Sequence, residues 1–173
     1  MANGWIIDEE ARLQTLRSFG ILDSAAEDAF DTLVEKASAL CETPVALITL
    51  LDRDRQWFKA AIGTEIRETP IELAICTHAL AHGGTLVITD LSEDERTSSN
   101  PLVASEPHAR FYAGSPIVVE GQALGTLCVL SFAPRPKGLS EVQRSGLEGL
   151  ATEAARLIVK DRLEGKAVPA DRR

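Results

Sequence analysis

Val45-Ala46-Leu47-Ile48-Thr49-Leu50-Leu51, followed by Asp52-Arg53-Asp54-Arg55 and then by Gln56-Trp57-Phe58-Lys59-Ala60-Ala61-Ile62-Gly63, decides the class of fold. The first run is too uniformly apolar for a strand with one face in water, so it reads as a central strand covered on both sides. The charged tetrapeptide reads as a turn. Residues 56–62 then return as an antiparallel hairpin partner that stops at Gly63.

Beyond Gly63 the sequence predicts a loop, a short helix around Cys76 to His82 closed by Gly83-Gly84, and a strand at Thr85-Leu86-Val87-Ile88-Thr89. Asp90 to His108 is long, polar and punctuated by Asn100-Pro101 and Glu106-Pro107; connections of this length are commonly functional, and this one is a candidate lid. A second hairpin runs from Arg110 to Val119, turns at Glu120-Gly121 and returns from Ala123 to Phe132, where Pro134 and Pro136 stop it.

Helices flank the strands. Ser24 with Glu27 has the spacing of a capping box, followed by Phe30, Leu33, Val34, Ala37 and Leu40 on one face, and Pro44 ends the pattern. An earlier helix, Asp8 to Phe19 with Gly20 behind it, shows a weaker stripe of Leu13, Leu16 and Phe19, and it is expected to pack on a partner. Ser140 and Gln143 form another capping box before a long helix to about Leu163, with Val142, Leu147, Leu150, Ala154 and Leu157 at near-heptad spacing. Leu157 and Ile158 are expected to make a helix-to-helix contact or to lead into a neighbour. The chain divides into an N-terminal helix at 1–22, a domain at 23–164 and a disordered tail at 165–173.

The 173 residues, 45% hydrophobic and 25% charged, exclude disorder and suit one soluble domain. The longest apolar run, Pro44 to Leu51, is far short of the roughly 20 residues a bilayer requires. The N-terminus lacks the basic start, apolar core and cleavage site of a secretion signal, so a cytoplasmic protein is expected. With 26 acidic against 18 basic residues, neither nucleic acid nor an anionic membrane is an expected partner. Cys41, Cys76 and Cys128 are odd in number and widely spaced, against a disulfide framework and in keeping with a reducing compartment.

From Gly20 to about Lys160 an ordered series of segments resembles the GAF domain family, small sensor and regulatory modules of signalling proteins. The series includes Gly20-Ile21-Leu22-Asp23, Gln56-Trp57-Phe58-Lys59, Ile75-Cys76-Thr77-His78-Ala79 and Leu86-Val87-Ile88-Thr89-Asp90. It continues through Asn100-Pro101-Leu102-Val103, Arg110-Phe111-Tyr112-Ala113-Gly114-Ser115-Pro116 and Gly125-Thr126-Leu127-Cys128-Val129. The resemblance implies an α+β, GAF/PAS-like fold. A central antiparallel sheet of five or six strands would carry the terminal helices on one face and the roof of a ligand pocket on the other. It also implies a small-molecule ligand, a homodimer, and a histidine kinase or cyclic-dinucleotide enzyme as output partner. The signature of cyclic-nucleotide-binding members is not recognisable here, nor is the adjacent Cys-His pair of bilin-binding members. No cofactor is assigned. The chain has no room for an output module and reads as a stand-alone sensor or part of a longer protein.

Trp57, Cys76, His78, Asp90, Arg110 and Tyr112 form the candidate ligand set. Arg110 and Tyr112 alternate with Phe111 and share a face; they offer a cation, a hydroxyl and a stacking ring. The alternative has Arg110 in an ion pair with Asp90 or Asp94 and Tyr112 as packing. Trp57 serves as an aromatic wall or as core. Cys76, His78 and His82 have soft-metal ligand chemistry but lack a fourth ligand, and structural roles for all three are preferred. One GAF branch reduces free methionine sulfoxide, which requires a nucleophilic thiolate and a resolving thiol. Cys76 in the roof and Cys128 on a central strand could meet across the pocket, giving an alternative reading as a Cys76-dependent reductase; a further alternative is a ligand-free dimerisation module.

Overall fold

The structure, a computed structural model, describes residues 7–165, so the residues before Ile7 and the tail expected after Gly165 lie outside it. Its elements in chain order are α1 (Glu9–Ser18), α2 (Asp28–Cys41), β1 (Val45–Leu51), β2 (Arg55–Ile62), β3 (Glu68–Pro70), α3 (Cys76–His82) and β4 (Leu86–Ile88). These are followed by α4 (Pro101–Ala104), β5 (Phe111–Val119), β6 (Gln122–Ser131) and α5 (Glu141–Leu163). The strands form one antiparallel sheet in the order β3-β2-β1-β6-β5-β4. This is the α+β architecture expected. Among the described residues no helix is long and apolar enough to cross a membrane.

β1 is uniformly apolar because both its faces are covered. Ala46, Ile48 and Leu50 enter a core shared with α2 and α5, which also holds Phe30, Phe111 and Leu147. Val45, Leu47 and Leu51 enter a second core under α3 and the 91–109 segment, with Phe58, Leu80 and Leu91. The alternation survives one irregularity: Ile48 pairs with Ala60 and Thr49 with Phe58, which leaves Lys59 as the extra residue of a β-bulge. The Lys59 side chain is fully buried, and its ammonium lies 2.6 Å from Glu27 Oε2, 2.6 Å from the Ala25 carbonyl and 2.9 Å from Ser24 Oγ.

That contact explains a departure from expectation. Ser24 does not cap α2; its hydroxyl donates to the Ile21 carbonyl and accepts from Lys59, while Glu27 is itself the N-cap residue and gives no side-chain cap. The second capping box, Ser140 with Gln143, forms in full. α1 packs on its own sheet rather than on a partner, with Leu13, Leu16 and Phe19 buried. Leu157 and Ile158 lie in the core that α5 shares with α2, a helix-to-helix contact within the chain, whereas Val142, assigned to the apolar stripe of α5, is 74% exposed. The short edge strand β3 was not foreseen.

Candidate functional site

Between the roof face of the sheet and the connections at 63–76 and 102–109 lies a cavity of about 420 Å³. Its floor comes from alternate residues of the central strands, Leu47, Phe58, Tyr112, Cys128 and Leu130, and its side wall from Ile75 and Cys76 at the start of α3. Ile66 and Phe132 also line it and are exposed large apolar side chains, which puts a hydrophobic rim at the opening. Gln56 and Thr69 supply a polar stretch of wall; Gln56 Nε2 donates to Thr69 Oγ1 at 3.1 Å, and Gln56 Oε1 is buried with no protein partner.

At the inner end a buried polar cluster centres on Cys76. The Tyr112 hydroxyl donates to Cys76 Sγ at 3.3 Å and the Thr126 hydroxyl at 3.0 Å, with Thr49 Oγ1 3.0 Å behind Thr126 Oγ1. The sulfurs of Cys76 and Cys128 are 3.8 Å apart. Burial pushes the Cys76 thiol up, but hydrogen bonds from Cys128, Thr126, Tyr112 and Thr49 outweigh it and bring it down to about 7. Cys128 moves far the other way through its hydrogen bond to Cys76 and its burial, and Tyr112 is raised by burial and by the negative charge of the adjacent Cys76. Cys76 is therefore the group that ionises, and its neighbours keep their protons.

Tyr112 reaches Cys76 because of Gly114, two residues along β5 on the same face. A Cβ at Gly114 would stand 2.1 Å from the tyrosine hydroxyl and 2.7 Å from its ring carbon, so the ring occupies space that any other residue would fill. Gly114 also pairs with Cys128 on β6, which fixes the second thiol beside the ring.

The predicted residues do not all converge. Cys76 and Tyr112 share the cavity. Trp57 faces the opposite side of the sheet, in the helix core beside an open groove of about 700 Å³ whose lining includes Asp31, Glu35 and Arg67. Asp90 caps the turn at 91–93, accepting from the backbone and hydroxyl of Ser92. Arg110 precedes β5 and donates to the carbonyls of Val103 and Ala109, at 2.9 and 3.0 Å, pinning the 102–109 connection; Asp94 pairs instead with Arg96. His78 is half-buried near Arg96, and both burial and that cation lower its basicity. Among the described residues no group of three or more His, Cys, Asp and Glu side chains is placed to hold a metal ion.

Sequence reasoning missed Phe58, Gln56 and Leu130 as cavity wall. Strand alternation from Tyr112 and Leu47 was the signal available for Leu130, which pairs with Tyr112 across the β5 and β6 ladder.

The GAF domain family model matches residues 25–158. A cyclic di-GMP phosphodiesterase of Pseudomonas aeruginosa is 40% identical over 129 residues, which cover 74% of this chain and 22% of that protein; the chain thus spans about a fifth of its relative's length. The GAF domain of an Acinetobacter phosphoenolpyruvate-protein phosphotransferase superposes with a TM-score of 0.66 at 20% identity, over 91% of this chain and 97% of that one. A type II free methionine-R-sulfoxide reductase of Thermoplasma acidophilum superposes at 0.62 with 14% identity, over 84% and 96%. At those identities the solved structures carry the fold and no more. By the family match over most of its length, the chain belongs to the GAF domain family, the sensory and regulatory domains of signalling proteins.

Proposed function

We propose that this domain is a non-enzymatic cytoplasmic sensor that binds a small molecule in the roof cavity and passes its occupancy to α1 and α5 in a homodimer. The observation that carries the reading is the cavity itself: about 420 Å³, walled by apolar side chains, and rimmed by Ile66 and Phe132. A solidly packed dimerisation module has no use for such a void. The lining selects a compact, mainly apolar ligand with a hydrogen-bond donor for Gln56 Oε1, whose lack of a protein partner is otherwise costly.

β5 supports the route of transmission. Tyr112 stands on its cavity face while Phe111 and Ala113 stand on its helix face, in the core that includes α5. A ligand that shifts Tyr112 therefore acts one strand away from the terminal helix and biases its packing by differential binding to two arrangements. The similarity to a cyclic di-GMP phosphodiesterase supports an output enzyme of cyclic-dinucleotide turnover.

Native and denaturing mass spectra of the purified domain test the reading. The expected result is an added mass that is lost on denaturation and absent from Ala109→Phe, which fills the cavity. A wild type without added mass, combined with no metabolite whose thermal shift Ala109→Phe abolishes, overturns it. A second reading, a thiol-dependent sulfoxide reductase, is favoured by the 3.8 Å approach of Cys76 and Cys128. It requires turnover of free methionine sulfoxide that Cys76→Ser abolishes.

A further inference from the structure

We propose that Cys76 and Cys128 form a reversible two-electron redox couple, oxidised to an intramolecular disulfide by a hydroperoxide that enters through the roof cavity. The inference does not depend on the identity of any resident ligand. It rests on three features of the site: the two sulfurs are already 3.8 Å apart, hydroxyl donors converge on only one of them, and both line a cavity with an opening. Cys76 is the first residue of α3 and Cys128 lies mid-strand in β6, so a bond between them ties the roof to the sheet.

The chemistry closes on these groups and the oxidant alone. The Cys76 thiolate attacks one oxygen of the hydroperoxide; an S–O bond forms, the O–O bond breaks, and the leaving alkoxide takes up a proton to become an alcohol. Cys76 is then a sulfenic acid. The Cys128 sulfur attacks the Cys76 sulfur, the S–O bond breaks, and the departing hydroxyl leaves as water with the Cys128 proton. Overall, two thiols and one hydroperoxide give one disulfide, one alcohol and one water. The sulfurs lose two electrons and the peroxide gains them.

The donors fit the order of events. Tyr112 and Thr126 stabilise negative charge on Cys76 before the attack, while Cys128 keeps its proton until a sulfenic acid is present to accept its sulfur. Once the disulfide forms, Tyr112 and Thr126 lose their anionic acceptor. The inner wall of the cavity then changes from a charged cluster to a neutral one, so oxidation also alters what the cavity holds.

Cys41 is an internal control. It is buried at the end of α2, its thiol is pushed up by that burial, and it belongs to the helix core, on the other face of the sheet from the thiol pair.

The test treats the purified 173-residue chain with hydrogen peroxide and maps its thiols by non-reducing peptide mass spectrometry. The expected result is simultaneous loss of two thiols, one peptide pair joined through Cys76 and Cys128 and lighter by two hydrogens, a free Cys41, and full recovery with dithiothreitol. Tyr112→Phe should slow the reaction near pH 7 by up to about fivefold, the fall in thiolate fraction when a half-ionised thiol becomes weaker by one unit of acidity. Cys128→Ser should halt the sequence at a sulfenic acid on Cys76, captured by dimedone. Oxidation that crosslinks Cys41, that proceeds to sulfinic acid without a disulfide, or that leaves all three thiols free overturns the proposal. The wild-type mapping decides the matter even if a variant does not fold.

Discussion

The two faces of one sheet are finished to different standards. On the helix face, Phe30, Ile48, Phe111 and Leu127 are fully excluded from solvent, and the buried Lys59 ammonium there is matched by Glu27, Ser24 and the Ala25 carbonyl. On the roof face the same strands present Tyr112, Thr126, Thr49 and two cysteines, with a void of about 420 Å³ beside them. Close packing contributes stability on the first face; on the second, packing density is sacrificed for polar chemistry and space. The difference indicates where this fold is scaffold and where it is instrument.

The contrast can be broken most severely from the scaffold side. Phe30→Ala, which leaves a hole under α2 and removes the ring that Lys59 approaches at 5.2 Å, should cost about 3–5 kcal/mol in urea unfolding while leaving the cavity lining intact. A matched pair of substitutions sharpens it. Ala113→Leu, in the filled core, should destabilise by about 1–3 kcal/mol, whereas Ala109→Leu, in the cavity wall, should change stability by less than about 1 kcal/mol in either direction. Equal losses in the same unfolding assay would mean that the two faces are equally packed.

The last expected effect is electrostatic. Cys76 ionises at about 7 in the folded chain against an ordinary 9.0, a depressed acid. Its stabilising contribution is therefore fully present above the unfolded value near 9 and is lost as pH falls through about 7. Unfolding free energy measured against pH should rise across that window in the wild type, less steeply in Tyr112→Phe, and without this component in Cys76→Ser. A slope unchanged by both variants would show that the thiol is not the titrating group.

Much of the scaffold could be read in advance, because its signals are local or periodic. β1 is uniformly apolar since both faces are covered, and the Ser140 capping box has no competitor for its hydroxyl. Ser24 had the same local signature, yet Lys59, 35 residues away, takes its hydroxyl once the chain folds. β3 is three residues long, ends in proline and pairs only with β2, so it lacks enough sequence to show a period. The site was harder. Cys76 and Tyr112 were both in the candidate set, but their contact spans 36 residues and depends on the absence of a side chain at Gly114. An aromatic residue two positions before a strand glycine was the available hint. Arg110 lies one position outside β5, where strand alternation no longer governs where its guanidinium goes, and nearby carbonyls claim it.

The bulge at Lys59 has a consequence for insertions and deletions. Removing one residue from a strand ordinarily turns every side chain on one side of the cut to the opposite face, because alternation has a period of two. In a strand without an irregularity nothing absorbs the loss. Lys59 is different: Phe58 already faces the roof and Ala60 the helices, and they pair with consecutive residues of β1. A chain lacking Lys59 would keep both faces in register, and the cost would fall on the contacts its ammonium makes with Glu27, the Ala25 carbonyl and Ser24 rather than on the pairing of the strands.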